Sequence, residues 1–247
     1  MSDFRNGYSM PATADMSVDA GLRGFMLGVY NKLALGLVVA GALAYLTGNV
    51  PAVQELLFAV RPDGRIGLTM LGMIVQFSPL VMLFGSMFFM KNPTAGGVNL
   101  LYWAVVATIG AGLGIVFLRY TGESVASTFF VTAAAFGGLS LFGYTTKKDL
   151  TAMGSFLIMG VIGLIIAMVV NMFLQSGMMA LIISGLGVLI FSGLIAFDTQ
   201  RLKMTYYSLG GDKAAMGVAT GFGALSLFIN FVNLFQFLLM FMGGSRD

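Results

Sequence analysis

The chain has 247 residues, of which 58 % are hydrophobic, 34 are glycine and only 9 % are charged. An ordinary globular protein carries about 25 % charged residues, and its exterior must be largely polar. This composition excludes a cytosolic globular enzyme, a nucleic-acid binder and a disordered chain, and the absence of Cys and His excludes disulfides, thiolate chemistry and imidazole ligands.

The first 24 residues carry Asp3, Arg5, Asp15, Asp19 and Arg23 without an apolar core. They read as a short cytoplasmic tail rather than a signal peptide. Crossing the hydrocarbon of a bilayer takes about 20 apolar residues in a helix. Seven runs meet that length: residues 25–48, 66–90, 98–118, 124–144, 153–174, 178–197 and 214–242. They are continuous, whereas barrel strands would alternate apolar and polar residues. The expected fold is all-α: a polytopic, seven-transmembrane-helix bundle spanning residues 25–243 behind the tail of residues 1–24. The connection 49–65 contains Pro51, Pro62 and the apolar Leu56, Leu57 and Phe58, which suit the membrane surface. The fifth and sixth runs are separated by only three residues, Gln175, Ser176 and Gly177, so those helices are antiparallel neighbours.

With the N-terminus inside, the cytoplasmic side holds eight cations: Arg5, Arg23, Lys91, Lys147, Lys148, Arg201, Lys203 and Lys213. The outer side holds four: Arg61, Arg65, Arg119 and Arg246. The positive-inside rule then predicts N-in and C-out. Lys32 lies within the first run and can snorkel towards the cytoplasmic interface.

Small-xxx-small spacing occurs at Gly24/Gly28, Gly110/Gly114 and Gly217/Gly221. It allows close helix approach in lipid, for bundle packing, dimerisation or sliding in a gate. The 19 methionines fit flexible core filling, and no paired Met motif recurs at one depth for copper. FGGLSLF (136–142) nearly recurs as FGALSLF (222–228). The match suits either coincidence in a Gly/Phe/Leu-rich chain or an inverted repeat.

Ionisable and polar groups at membrane depth are costly and mark candidate sites. A helix ending at residue 197 would set Asp198 against the negative end of its dipole. The stop signal comes later, at Gly210 and Gly211, so the sixth helix is expected to run to about Ser208. Asp198 then faces either Arg201, one turn on, or the bundle interior, where it would govern ion passage. Asn230, Asn233 and Gln236 recur every third residue on one face of the last helix. They serve interhelical hydrogen bonding or a polar path, and Asn230 lies at a depth where it can meet Asp198. Thr145, Thr146, Lys147 and Lys148 cap the fourth span at the cytoplasmic face. Glu123 opens that span at the outer side, where an acid near a helix N-terminus is favourable.

In order and spacing, several segments together resemble the transmembrane Bax inhibitor motif family, in its bacterial YccA-like branch. They are Tyr30 at the start of the first span, YTGES (120–124), LFGYTTKKDL (141–150), LIFSGLIAFDTQRLK (189–203) and LSLFINFVNLFQFLL (225–239). The resemblance covers residues 21–243. It implies a seven-helix bundle with the last helix central, in a bacterial inner membrane, and a pH-sensitive calcium leak. It further implies a pH-sensing pair of aspartates from the sixth and seventh spans. Asp198 matches the first, while the position of the second holds Asn230. Two close carboxylates share a proton because both cannot be charged cheaply, but an Asp–Asn pair cannot do so. One carboxylate with an amide is also a poor Ca²⁺ site beside the usual six to eight oxygens.

The expected function is therefore a pH-modulated cation (Ca²⁺ or proton) leak controlled by Asp198, Asn230 and Arg201, with Asn233 and Gln236 along a polar path. Asp198 is the strongest candidate for holding a metal. The alternative is an interaction protein that modulates an FtsH-type membrane protease through its tail. Lipids are the expected surroundings, with no cofactor and no nucleic-acid partner. No HExxH, GxSxG or phosphate loop occurs, so no enzymatic activity is expected.

Overall fold

A computed structural model describes residues 19–60 and 66–244. The tail residues 1–18, with Asp3, Arg5 and Asp15, lie outside the described residues, as do Arg61, Pro62, Arg65 and Arg246. The elements run α1 (Ala20–Asn49), α2 (Pro51–Leu57), β1 (Phe58–Val60), β2 (Ile66–Leu68), α3 (Met70–Phe89), α4 (Ala95–Gly112), α5 (Ile115–Arg119), α6 (Gly122–Thr145), α7 (Thr151–Leu174), α8 (Gly177–Ser208) and α9 (Lys213–Met242). Among the described residues seven helical stretches are long and apolar enough to cross a membrane, α4 and α5 counting together as one.

Helix starts follow capping chemistry. Asp19, Thr69, Thr94, Thr121, Ser176 and Asp212 each accept a backbone N–H from the first turn of the helix that follows, satisfying donors that have no partner within the helix. Three boundaries differ from the sequence reading. The first helix begins at Ala20, within the segment read as the tail, and buries Leu22. The second apolar run begins at residue 66, yet the helix begins at Met70. Residues Ile66–Leu68 instead pair antiparallel with Phe58–Val60, Phe58 opposite Leu68. Thr69 caps the helix there, and its hydroxyl also donates to the Leu56 carbonyl at 2.6 Å. The connection between the first two spans thus holds a short helix, α2, and two paired strands. The third run is broken at Leu113 and Gly114, between α4 and α5. Glycines at 110, 112 and 114 weaken the helix there, and the Thr47 hydroxyl donates to the Ala111 carbonyl at 2.9 Å.

The last helix is central. Over its most apolar stretch α9 is 56 % buried, against 6 % for α3 and 11 % for α7. It packs against α8, α1, α4 and α6, whereas α7 lies on α8 and α3 on α4. Leu227, Phe228 and Leu234 of α9 are wholly buried, together with Tyr102, Val105 and Val106 of α4. In lipid, helices associate by close packing rather than by expulsion of water, and glycine provides the closeness. A Cβ at Gly110 would sit 2.6 Å from the Ala40 Cα, and one at Gly221 would sit 2.5 Å from a Val98 methyl. Gly114 and Gly217 are similarly crowded, but Gly24 has open space around it. Two of the three small-residue pairs therefore lie in tight crossings within one chain.

Lys32 is partnered by residues of α4. Its ammonium donates to Asn99 Oδ1 at 2.6 Å and lies 5.1 Å from the Tyr102 ring centre. The Tyr102 hydroxyl returns a bond to the Lys32 carbonyl at 2.7 Å, which ties α1 to α4.

Candidate functional site

The sixth long helix, α8, continues past its apolar run to Ser208. Asp198 therefore stands inside a helix rather than at its end. Leu209 closes that helix, and the chain turns through Gly210 and Gly211, both with positive φ, a conformation that glycine adopts without steric cost. Asp212 then caps α9, which returns antiparallel along α8. This hairpin brings residue 198 opposite residues 226 and 230.

Asp198 is 5 % exposed. One carboxylate oxygen, Oδ2, accepts from Asn230 Nδ2 at 2.8 Å and from the Ser226 hydroxyl in a short bond. The other, Oδ1, pairs with Arg201 Nη2 at 2.9 Å. The same Arg201 nitrogen reaches Ser226 Oγ at 3.5 Å. Two readings that the sequence left as alternatives hold together: the carboxylate faces the bundle interior and pairs with Arg201. The asymmetry lies in the environment. The Asp198 side chain is 7 % exposed and that of Arg201 is 51 % exposed. The guanidinium reaches inwards from the rim, over the Phe197 ring at 5.6 Å, so the buried charge is neutralised without a fully buried cation. A buried carboxylate with donors on both oxygens and a paired cation is the arrangement that low dielectric demands.

Three further polar residues of α8, Thr199, Gln200 and Lys203, tie it to α6 and to the loop before α7. Gln200 Oε1 accepts the Leu150 N–H at 2.8 Å, and its Nε2 donates to the Lys148 carbonyl at 2.8 Å. Lys203 is 6 % exposed, donates to the Tyr144 carbonyl at 3.1 Å and lies 4.7 Å from that ring's centre. Lys203 is thus a buried strut, unlike the loop cations with which it was counted. The Thr199 hydroxyl donates to Ser140 Oγ at 3.4 Å. Gly143 makes this approach feasible, because a Cβ there would sit 2.1 Å from the Ala196 carbonyl oxygen.

Sequence reasoning singled out Asp198, Asn230 and Arg201, and the fold brings them together. It missed Ser226 and the roles of Gln200, Lys203 and Thr199. A signal for Ser226 was present. It precedes Asn230 by one helical turn, so the two share a face. It is also the serine of FGALSLF, and the serine of FGGLSLF is Ser140. Both serines meet α8, at the adjacent residues Asp198 and Thr199. The near-repeat thus has a structural counterpart. Asn233 and Gln236 lie apart from this cluster. The Asn233 amide donates to the Ile229 carbonyl of its own helix at 2.8 Å, and Gln236 is exposed on the outside of α9. Among the described residues no group of three acidic side chains gathers in one place, and the partners of Asp198 are a serine, an amide and a guanidinium.

Comparison with known proteins agrees with this architecture. The model of the family "Inhibitor of apoptosis-promoting Bax1" matches residues 22–247. An uncharacterized protein of Caulobacter vibrioides is 67 % identical over the full length of both chains. Another from Rickettsia prowazekii is 41 % identical, covering 93 % of each chain. The inner membrane protein YbhL of Escherichia coli is 37 % identical, over 92 % of this chain and 94 % of its own. With a family match across nearly the whole chain and seven apolar helices to carry it, the chain belongs to the Bax inhibitor family of integral membrane proteins.

Proposed function

We propose that this chain is a cation leak protein of the bacterial inner membrane, with Ca²⁺ as the ion to test first. Its conductance is set by the latch that Asp198 forms between α8 and α9. One observation carries the reading: a buried carboxylate joins the two most closely associated helices through Ser226 and Asn230, and a rim arginine neutralises it. A charge held this deep is retained at a cost and is a functional candidate by default. Protonating Asp198 removes the attraction for Arg201 and turns one acceptor oxygen into a donor. The α8–α9 seam then loses its charge-assisted bonds, and the helices are free to separate. The groups facing Asp198 are Arg201 from its own helix and Ser226 and Asn230 from α9. None of the other three changes its charge near neutral pH. The location is supported by the inner-membrane designation of YbhL, and the N-in, C-out orientation by the balance of Lys and Arg.

The test is calcium flux in liposomes carrying an enclosed dye, with insertion verified by protease protection. Flux that increases on acidification, and that loses its pH dependence in Asp198→Asn, supports the reading. Absence of flux at every pH with correctly inserted protein overturns it.

A further inference from the structure

In the half of the bundle away from the α8–α9 turn, α1, α5, α6 and α9 leave a cavity of about 390 Å³. Its wall is almost wholly apolar: Val116 and Phe117 come from α5, Phe129 from α6, and Phe231, Val232 and Phe235 from α9. It opens sideways. Two of its other lining residues, Val38 and Phe130, are 69 % and 71 % exposed, on faces that meet lipid in a spanning helix. A Cβ placed on Gly41 or Gly122, which also line it, meets nothing within 4 Å. The volume falls within the usual range of small-molecule pockets, about 300–1,000 Å³. An apolar cavity of this kind does not hold water. At this depth the medium at its mouth is hydrocarbon.

The charges beside it specify the rest of the occupant. Arg119 ends α5 and stands in the chain between the lining residues Phe117 and Gly122. Glu123 follows Gly122 in the first turn of α6. Both are exposed. One cation and one carboxylate at the interface end of an apolar slot complement a headgroup that carries both signs. Guanidinium pairs with a phosphate through two parallel bonds, and the carboxylate pairs with an ammonium. A lipid with only an anionic headgroup would meet Glu123 as a like charge.

We propose that this cavity binds one acyl chain of a zwitterionic aminophospholipid, with its phosphate on Arg119 and its ammonium at Glu123. The site is separate from the Asp198 latch, although Phe231 in its wall directly follows Asn230 in α9.

The test uses the full chain in vesicles of phosphatidylethanolamine and phosphatidylglycerol. Each lipid in turn carries a photoreactive acyl chain, and labelled peptides are read by mass spectrometry. Labelling of α7, whose Phe173 is 77 % exposed, reports general lipid contact and serves as the reference. The phosphatidylethanolamine probe is expected to label residues 37–44 and 231–235 in excess of that reference. Gly41→Leu, which occupies the cavity, lowers the excess about tenfold, the loss of about 1.4 kcal/mol of binding. Arg119→Gln lowers it about threefold, as befits an exposed ion pair. A thermal unfolding curve unchanged in Gly41→Leu establishes that the fold is intact; should that variant unfold, Ala126→Leu, at another exposed lining position, fills the same space. Labelling at the level of α7, an excess unchanged by filling, or an equal excess with the phosphatidylglycerol probe overturns the proposal.

Discussion

Asp198 and Asn230 meet across the α8–α9 seam, carboxylate oxygen to amide nitrogen, at 2.8 Å. The family resemblance implies a second aspartate at the latter position, and the amide converts a shared-proton pair into a plain donor–acceptor pair. Asn230→Asp should restore the shared proton. The two carboxylates would stand in hydrogen-bonding range and could not both be charged cheaply. The variant should bind a proton in the folded state that the unfolded chain releases. Its stability should therefore fall as pH rises, by about 1–3 kcal/mol at neutral pH, and recover on acidification. Unfolding followed by Trp103 fluorescence between about pH 5 and pH 8 would check this. A stability difference from the native chain that is independent of pH would refute it.

Asp198→Ala removes the acceptor for Ser226 and Asn230 at once and leaves the guanidinium of Arg201 without its counter-ion. The expected loss is about 2–3 kcal/mol, since a buried donor without a partner costs its full desolvation. Arg201→Gln should cost about 0.5 kcal/mol, because that side chain is half exposed and screened. If denaturant unfolding in detergent micelles ranked the two variants the other way, the latch would not be centred on the carboxylate.

Gln200 holds the α6–α7 loop from within α8 by gripping Lys148 O and Leu150 N–H on either side of Asp149. Gln200→Leu leaves the buried Leu150 N–H unsatisfied and should cost about 1–3 kcal/mol locally. Limited trypsin digestion after Lys147 and Lys148 should accelerate by about tenfold, with cleavage elsewhere little changed. Unaltered digestion would show that the loop is held by other contacts.

Gly143 and Gly138 lie on the same helix in opposite situations. A side chain at Gly143 collides with the Ala196 backbone, and one at Gly138 meets nothing within 4 Å. Gly143→Val should destabilise by about 3 kcal/mol or more through forced separation of α6 from α8. Gly138→Val should stay within about 1 kcal/mol. Equal thermal stability of the two variants would contradict the close crossing.

Asp19 caps α1 and also accepts from the Tyr206 hydroxyl at 3.2 Å, joining the start of the first span to the end of α8. The Leu22 backbone N–H holds its carboxyl below the usual range; burial opposes it, and the Tyr206 hydroxyl adds a smaller lowering effect. A folded-state pKa below the unfolded one means that the cap contributes fully above the unfolded value. The contribution disappears as pH falls through the folded one, below about pH 4. Amide exchange of Leu22 and Arg23 should quicken in that acid range in the native chain. Asp19→Asn, which caps without a charge, should show no such step.

Composition and apolar run length suffice to identify seven spans, because a segment must be about 20 residues long and nearly free of charge to cross a bilayer. The extension of α8 to Ser208 was equally legible, from an aspartate misplaced at a helix end and two glycines beyond it. The candidate trio was legible because intramembrane polar groups are rare enough to stand out. The rest required the tertiary structure. Ile66–Leu68 looks like the start of a span until Phe58–Val60 is seen beside it, since local hydrophobicity does not separate a short strand from a helix turn. Lys203 counts as a loop cation until the Tyr144 carbonyl and ring are seen to enclose it. Ser226 is one more small residue until Asp198 faces it. Asn233 and Gln236 share a stripe with Asn230 in sequence, yet neither reaches the latch, because the Asn233 amide turns to the Ile229 carbonyl of its own helix and Gln236 faces outwards. Residue spacing fixes which groups share a helix face; only the packing of a second helix decides which of them acquire a partner.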